Sequence, residues 1–368
     1  MKILSIETSC DETAVTLLEI DGPLDKPDIK VLGNTLLSQV ALHEQYGGVY
    51  PTLAKREHIK NLPVLLEKTL HEAGCVMTND QYPIPKELDF IAVTAGPGLE
   101  PALWAGITFA AELGKRWDKP VVPVNHMEGH IWSVLYTEPK ISNDEFLISK
   151  KLELPALALL VSGGHTELVL VKDFGHYQIL GRTLDDAVGE AFDKAARMLG
   201  LSYPGGPKLS KLASISRGKK GSLDFKLPSP MLHSGDLNFS FSGLKTAVLY
   251  KLRDAKRDDE EFKEDMARAF EDAAVAALAG KTRTALENLG DEIKTLIVAG
   301  GVSANTRLIS ELGKMLRSFP ALAFRTPARM LTTDNAVMIG IAAYVSVVKR
   351  PELLKGGEIS AEGNLTYL

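Results

Sequence analysis

Cysteine is scarce in this chain: Cys10 and Cys75 are the two among 368 residues. That scarcity excludes a disulfide-built scaffold and fits a reducing, cytoplasmic compartment. Long apolar runs are missing as well. None approaches the roughly 18 residues that a membrane span needs, so no membrane partner is expected. Strand-like sequence starts at Lys2-Ile3-Leu4-Ser5-Ile6 with no basic and then apolar leader ahead of it, which argues against a secretory signal. Neither P-loop nor G-x-G-x-x-G spacing occurs, so a Walker ATPase and a dinucleotide enzyme have no support. A basic excess is also lacking. The net charge of −5 counts against nucleic acid binding over the whole surface, and the basic runs within 217–220, 251–257 and 349–350 read as solvated surface.

Hydrophobic residues make up 45% and charged residues 24%, the balance of a globular protein long enough for two domains with separate cores. Two patterns each occur twice. Residues 3–6 and 14–20 form strands around the polar turn Thr8-Ser-Cys-Asp-Glu-Thr13, and 156–161 and 167–171 repeat this around Ser162-Gly-Gly-His-Thr166. The strand Asp89–Thr94 runs into Gly96-Pro-Gly98 and a helix over 101–116. Likewise Thr295–Ala299 runs into Gly300-Gly-Val-Ser-Ala-Asn305 and a helix over 306–317. Further helices are expected over 258–289 and 334–348. The matched order favours a duplicated α/β domain whose hairpin turns border a nucleotide cleft, over two unrelated Rossmann-like domains. The expected division is a first lobe over 1–136, a connection over 137–154, a second lobe over 155–345 with an insertion near 201–250, and a tail over 346–368.

The sharpest local motif is Asn125-His126-Met-Glu-Gly-His130, where Asn125 is placed to cap a helix after the strand Pro120–Val124. Histidines at i and i+4 share one helix face, which suits a common metal; two core or capping histidines are the plainer reading. A zinc protease would place a glutamate directly after the first histidine. Here Glu128 stands at i+2, about 200° round the helix at 3.6 residues per turn, which deprives a protease of its base. Asp334, in Leu331-Thr-Thr-Asp-Asn-Ala336, is a candidate third ligand, or else a helix N-cap.

The glycine turns at 162–166, 300–305 and 96–98 are candidates for anion binding through backbone N–H groups. Asp186, Glu190 and Asp193 are expected on one side of a helix, as a solvated face or as ribose or metal partners. Tyr203-Pro-Gly-Gly-Pro207 follows as a rigid turn that a ligand could approach closely.

Together with Phe239-Ser-Phe-Ser-Gly-Leu-Lys245 and Thr333-Asp-Asn335, these segments resemble the family called TsaD, Gcp or YgjD in bacteria and Kae or Qri in archaea and mitochondria. The matches run in order from residue 6 to residue 335. The resemblance implies a two-lobed actin/Hsp70/sugar-kinase (ASKHA, ribonuclease H-like) fold with an interlobe cleft. It implies transfer of the threonylcarbamoyl group of threonylcarbamoyl-AMP to N6 of adenosine 37 in tRNAs reading ANN codons. His126, His130 and Asp334 would hold a divalent metal, iron or zinc. Leu160, Val161, Ser162, Gly163, Gly164, Asp193, Gly206 and Asn305 would bind the adenylate, a place that ATP or ADP could also take, and Asp11 and Glu12 would act in catalysis. The partners it implies are tRNA, a dimerising TsaB-like paralogue, a TsaE-like ATPase and a TsaC-like adenylate-forming enzyme. Competing readings are a small-molecule kinase of the same fold, a metalloendopeptidase and an Hsp70-like scaffold.

Overall fold

The computed structural model describes residues 1–75, 83–136, 151–219, 225–229, 231–232, 234–255 and 259–367, so the expected connection over 137–154 lies mostly outside the described residues. The chain forms two compact units. One comprises Met1–Leu152, Asp173–His176 and Pro327–Leu368; the other comprises Glu153–Lys172 and Tyr177–Thr326.

The first unit is built on strands β1 (Lys2–Glu7), β2 (Glu12–Asp21), β3 (Asp28–Ser38), β4 (Phe90–Gly96) and β5 (Val121–Asn125), in the order β3-β2-β1-β4-β5. Helices α1 (Val40–His43), α2 (Pro51–Glu72), α3 (Glu100–Trp117) and α4 (His126–Trp132) precede the crossing into the second unit. That unit holds β6 (Ala156–Val161), β7 (Thr166–Asp173), β8 (His176–Arg182), β9 (Thr295–Ala299) and β10 (Ala323–Arg325), in the order β10-β9-β6-β7-β8. Its helices are α5 (Val188–Met198), α6 (Gly205–Gly218), α7 (Ser242–Asp254), α8 (Glu260–Leu289) and α9 (Thr306–Leu316), and α10 (Ala336–Lys349) follows.

The two sheets have one topology. In each, the first strand pairs antiparallel with the second and parallel with the fourth, which pairs parallel with the fifth. The duplication read from the repeated turns is thus a duplication of sheet order. The central parallel strands β4 and β9 are buried along their whole length, as Phe-Ile-Ala-Val-Thr and Thr-Leu-Ile-Val-Ala require. No helix among the described residues is long and apolar enough to cross a membrane.

The expected division needs one correction. Residues 327–345 were assigned to the second lobe, yet they belong to the first unit. The reason is helix α10, which is apolar on every side and buries residues 336–347 against β1, β2 and α4. Ser5 Oγ donates to the Ala336 carbonyl at 2.7 Å. A Cβ on Gly340 would stand 2.3 Å from Leu18 Cδ1 and 3.1 Å from Ser5 Oγ, so the helix lies on the sheet at glycine distance. Gly340→Val is therefore expected to destabilise the protein by about 1–3 kcal/mol through overpacking. Urea unfolding at fixed pH checks this.

Candidate metal centre and active site

The centre begins at the end of β5. Asn125 stops the strand and caps α4, its Oδ1 accepting from the N–H groups of Met127 at 2.9 Å and Glu128 at 3.2 Å. His126 and His130 then project from one face of α4, their ring centroids 4.8 Å apart and nearly perpendicular. Between them Gly129 leaves room for α10: a Cβ there would meet Ile339 Cδ1 and Met338 Cγ, both at 3.1 Å.

That approach delivers Asp334, just ahead of α10, to the histidines. Its Oδ1 lies 3.3 Å from Nε2 of His126 and 3.3 Å from Nε2 of His130. Two donors each about 2.0–2.1 Å from one tetrahedral ion stand about 3.3 Å apart, so both histidine–carboxylate spacings suit a shared cation, and the three ligand atoms all lie within 4.8 Å of one another. Within the described residues, these three form the one group of His, Cys, Asp and Glu side chains arranged to hold a metal. His130 is fully buried, yet neither ring nitrogen has a hydrogen-bond partner. A buried ring nitrogen without a hydrogen bond is costly; an ion beside Asp334 would complete Nε2, which has that carboxylate 3.3 Å away. Asp334 keeps 22% of its side chain exposed, leaving the group open on the carboxylate side. The alternative reading of Asp334 as an N-cap does not hold, because Asn335 caps α10 by accepting from Met338 N–H at 2.9 Å.

Glu7, at the buried end of β1, was not anticipated as a site residue. Its Oε2 lies 3.0 Å from Nδ1 of His126 and accepts from Thr94 Oγ1 at 2.7 Å, while its other oxygen accepts from the Ser9 N–H. Ser9 Oγ lies 3.2 Å from the same Nδ1. A carboxylate on Nδ1 holds that nitrogen as the donor and aims Nε2 at Asp334, the orientation ligating histidines require. The one hint in the sequence was a glutamate ending an otherwise apolar strand.

Burial pushes the His126 pKa down, but the Asp334 and Glu7 carboxylates override it and hold the ring well above its ordinary value. For His130 burial prevails and the pKa falls. Burial raises Asp334, while His126 and His130 more than offset it and hold the carboxyl far below the usual range.

The turn carrying Asp11 and Glu12 is tied down beside this centre. Gln39 N–H donates to the Asp11 carbonyl at 2.9 Å, and Nε2 of His58 lies 3.0 Å from the Cys10 carbonyl. Gln39 also links His58 to His43, at 3.3 and 3.2 Å. Burial lowers both histidine pKa values, so the network is neutral. Oδ2 of Asp11 is buried without a partner. Burial, with Asp11 and Asp334 adding to it, pushes the Glu12 carboxyl well up. The Cys10 thiol is likewise pushed well up by burial and by the surrounding carboxylates, which disqualifies it as a thiolate nucleophile.

In the second unit, the expected adenylate residues gather beyond the carboxyl ends of β6 and β9, where open α/β sheets bind ligands. Leu160 and Val161 are buried in β6, leaving the turn Ser162–Gly164 at the surface, with open space where a Cβ would stand on Gly163 and Gly164. Gly189 N–H, in the first turn of α5, donates to the Ser162 carbonyl at 3.2 Å. Asp193 accepts from Gly205 and Gly206 N–H at 2.7 and 3.0 Å, so Tyr203–Pro207 is the start of α6 and not a free turn. Asn305 caps α9 and donates to Ser210 Oγ at 3.0 Å and Glu271 Oε1 at 2.8 Å.

Two expectations fail here. Asp186 precedes α5, so it does not share a helix face with Glu190; it accepts from Lys194 and Lys245 instead. At the turn Gly96–Gly98, the Gly98 N–H is committed to the Gly363 carbonyl and the following Leu99 N–H to Ser9, so neither is open to an anion.

The solved structure of T. kodakarensis HypF is similar at a TM-score of 0.56 and 15% identity, over 96% of this chain and 49% of that one. This chain therefore spans about half the length of that protein, and the likeness is one of fold. Two five-stranded sheets of one strand order, β3-β2-β1-β4-β5 and β8-β7-β6-β9-β10, define a duplicated α/β protein, a fold it shares with HypF. The sequence model of the family described as TsaD, tRNA N6-adenosine threonylcarbamoyltransferase, matches residues 30–341. Proteins of that name from Aromatoleum aromaticum (strain DSM 19018 / LMG 30748 / EbN1) and Paraburkholderia xenovorans (strain LB400) are 45% and 43% identical. Those matches cover 98% and 96% of this chain, and 95% and 94% of theirs. The chain belongs to this family.

A cation held by this group would displace the proton that Asp334 and Glu7 favour on His126, so apparent metal affinity is expected to rise with pH, with about one proton released per ion bound. Calorimetric titration in buffers of different ionisation enthalpy measures both. Glu7→Gln should weaken binding roughly tenfold or more.

Proposed function

We propose that this chain transfers the threonylcarbamoyl group of threonylcarbamoyl-AMP to N6 of adenosine 37 in tRNAs reading ANN codons. The observation that carries the reading is a family match over nearly the whole chain, joined to a ligand-shaped group of His126, His130 and Asp334. Two imidazoles and one carboxylate suit iron(II) or zinc. What such an ion supplies when bound is Lewis acidity toward a carbamoyl or phosphate oxygen.

The chain's own residues do the rest. The donor is a mixed anhydride, so the task is to position its carbamoyl carbon against the adenosine amine. The Ser162–Gly164 turn, with Asp193, Gly206 and Asn305 behind it, supports binding of the adenylate. Leu160 and Val161 contribute as the strand that fixes this turn. As the amine nitrogen bonds to the carbamoyl carbon, the bond from that carbon to the phosphate oxygen breaks and AMP leaves. The amine proton passes to Asp11, whose Oδ2 is the unpartnered carboxylate oxygen of the acidic turn. Glu12, its carboxyl pushed up by burial and by Asp11 and Asp334, stays protonated as a donor toward the leaving oxygen.

Phosphate contacts of tRNA fall in large part to partners, since the net charge is −5. A TsaB-like paralogue, a TsaE-like ATPase and a TsaC-like adenylate-forming enzyme fill those roles in this reading. A protease is disfavoured because Glu128 stands two residues after His126, about 200° round the helix from it, where it cannot serve as the base beside the histidines.

Reconstitution with synthetic threonylcarbamoyl-AMP, tRNA and partner subunits tests the reading by nucleoside analysis. His126→Ala/His130→Ala should lower transfer by about 100-fold or more with the fold intact. Undiminished transfer would remove the metal from the mechanism. Asp11→Asn should lower kcat about 100-fold while metal content stays constant.

A further inference from the structure

Residues 362–366 hydrogen-bond to the end of β4, to the turn after it and to Asn125, the cap of the helix that presents His126 and His130. The Glu362 N–H donates to the Ala95 carbonyl at 2.9 Å, extending the pairing of β4 by one rung. The Gly363 carbonyl accepts from Gly98 N–H at 3.2 Å. The Thr366 carbonyl accepts from Nδ2 of Asn125 at 2.9 Å. Asn125 is thereby used at both ends of its amide, Oδ1 on the first turn of α4 and Nδ2 on this segment.

The seat is cut for the segment. Gly96 has φ of +152°, and a Cβ there would stand 2.0 Å from the Glu362 carbonyl oxygen and 2.9 Å from Leu365 Cβ. The far side of the same turn reaches the metal centre, because Leu99 N–H donates to the Ser9 carbonyl at 2.8 Å and Ser9 Oγ lies 3.2 Å from His126 Nδ1. Two separate paths therefore run from this segment to His126, one through the cap of its helix and one through Ser9.

We infer that residues 362–367 form a positioning strap for the metal centre, holding Asn125 and the Gly96–Leu99 turn so that His126 keeps its ligating orientation. The inference rests on the metal reading of His126, His130 and Asp334. The α4 helix spans seven residues, too short to hold its own geometry, so an external tether on its cap is physically consequential.

The test uses Co2+, whose visible absorption reports coordination geometry, added to three proteins and to the combination of the two changes. The three are the whole chain, a chain ending at Ala361 and the variant Asn125→Ser. Ending at Ala361 retains Ile359 and Ala361, which pack on the first unit's core. Asn125→Ser keeps a capping oxygen but removes the donor to Thr366. The strap predicts that each change weakens Co2+ about tenfold or more and alters the absorption bands. It further predicts that combining the two adds little, since both cut one tether. If the shortened chain does not fold, Asn125→Ser alone decides. Unchanged affinity and bands in the altered proteins overturn the strap while leaving the metal reading intact. A whole chain that binds no Co2+ overturns the metal reading and this inference with it.

Discussion

The candidate centre depends on one close approach, that of α10 to α4 across Gly129. Met338 and Ile339 occupy the space a side chain at that position would need, with 3.1 Å to the imagined Cβ. Because α10 is apolar on every side, burying it against the first sheet and α4 is strongly favoured, and its N-terminal turn must then come close to the histidines. Asp334 gains its place beside His126 and His130 from that packing and not from any interaction of its own. A carboxylate beside two buried imidazoles would be expensive to assemble in isolation; here it is imposed by the burial of a whole helix.

Around that contact the polar groups divide the labour. Glu7 and Ser9 hold Nδ1 of His126, and Asp334 faces Nε2 of both histidines. The neutral Gln39, His43 and His58 network holds the backbone of the neighbouring acidic turn without adding charge to it. That turn is anchored through its carbonyls, and Glu12 also accepts from Ser38 Oγ at 3.1 Å. In the second unit the same economy appears differently: Asp193 and Asn305, both expected to meet a ligand, also fasten α6 and α9.

Much of this was legible in the chain itself. The strands around residues 3–20 and 156–171, the glycine turns, and the helices near 101–116, 258–289 and 306–317 stand close to where periodicity and turn chemistry placed them. The Asn125 cap and the shared face of His126 and His130 followed from local rules alone. Residues 21–88 carry little signal in the sequence, and they hold β3 and α2. The first is an edge strand with mixed exposure, and the second carries Pro63 inside it, so neither shows clean periodicity.

Sequence by itself determined the duplication, the paired histidines and the family, because each is written in short-range spacing or in the order of matched segments. Tertiary structure alone decided which unit owns residues 327–345, that Asn335 and not Asp334 caps α10, and that Glu7 backs His126 across 119 positions. It also decided that 359–367 lie on the Gly96–Leu99 turn. The cap is a local choice, made by which side chain reaches the Met338 N–H; the other three share one physical reason. A residue's long-range partner is chosen by which surfaces must be buried together, and the distance along the chain carries no trace of that choice.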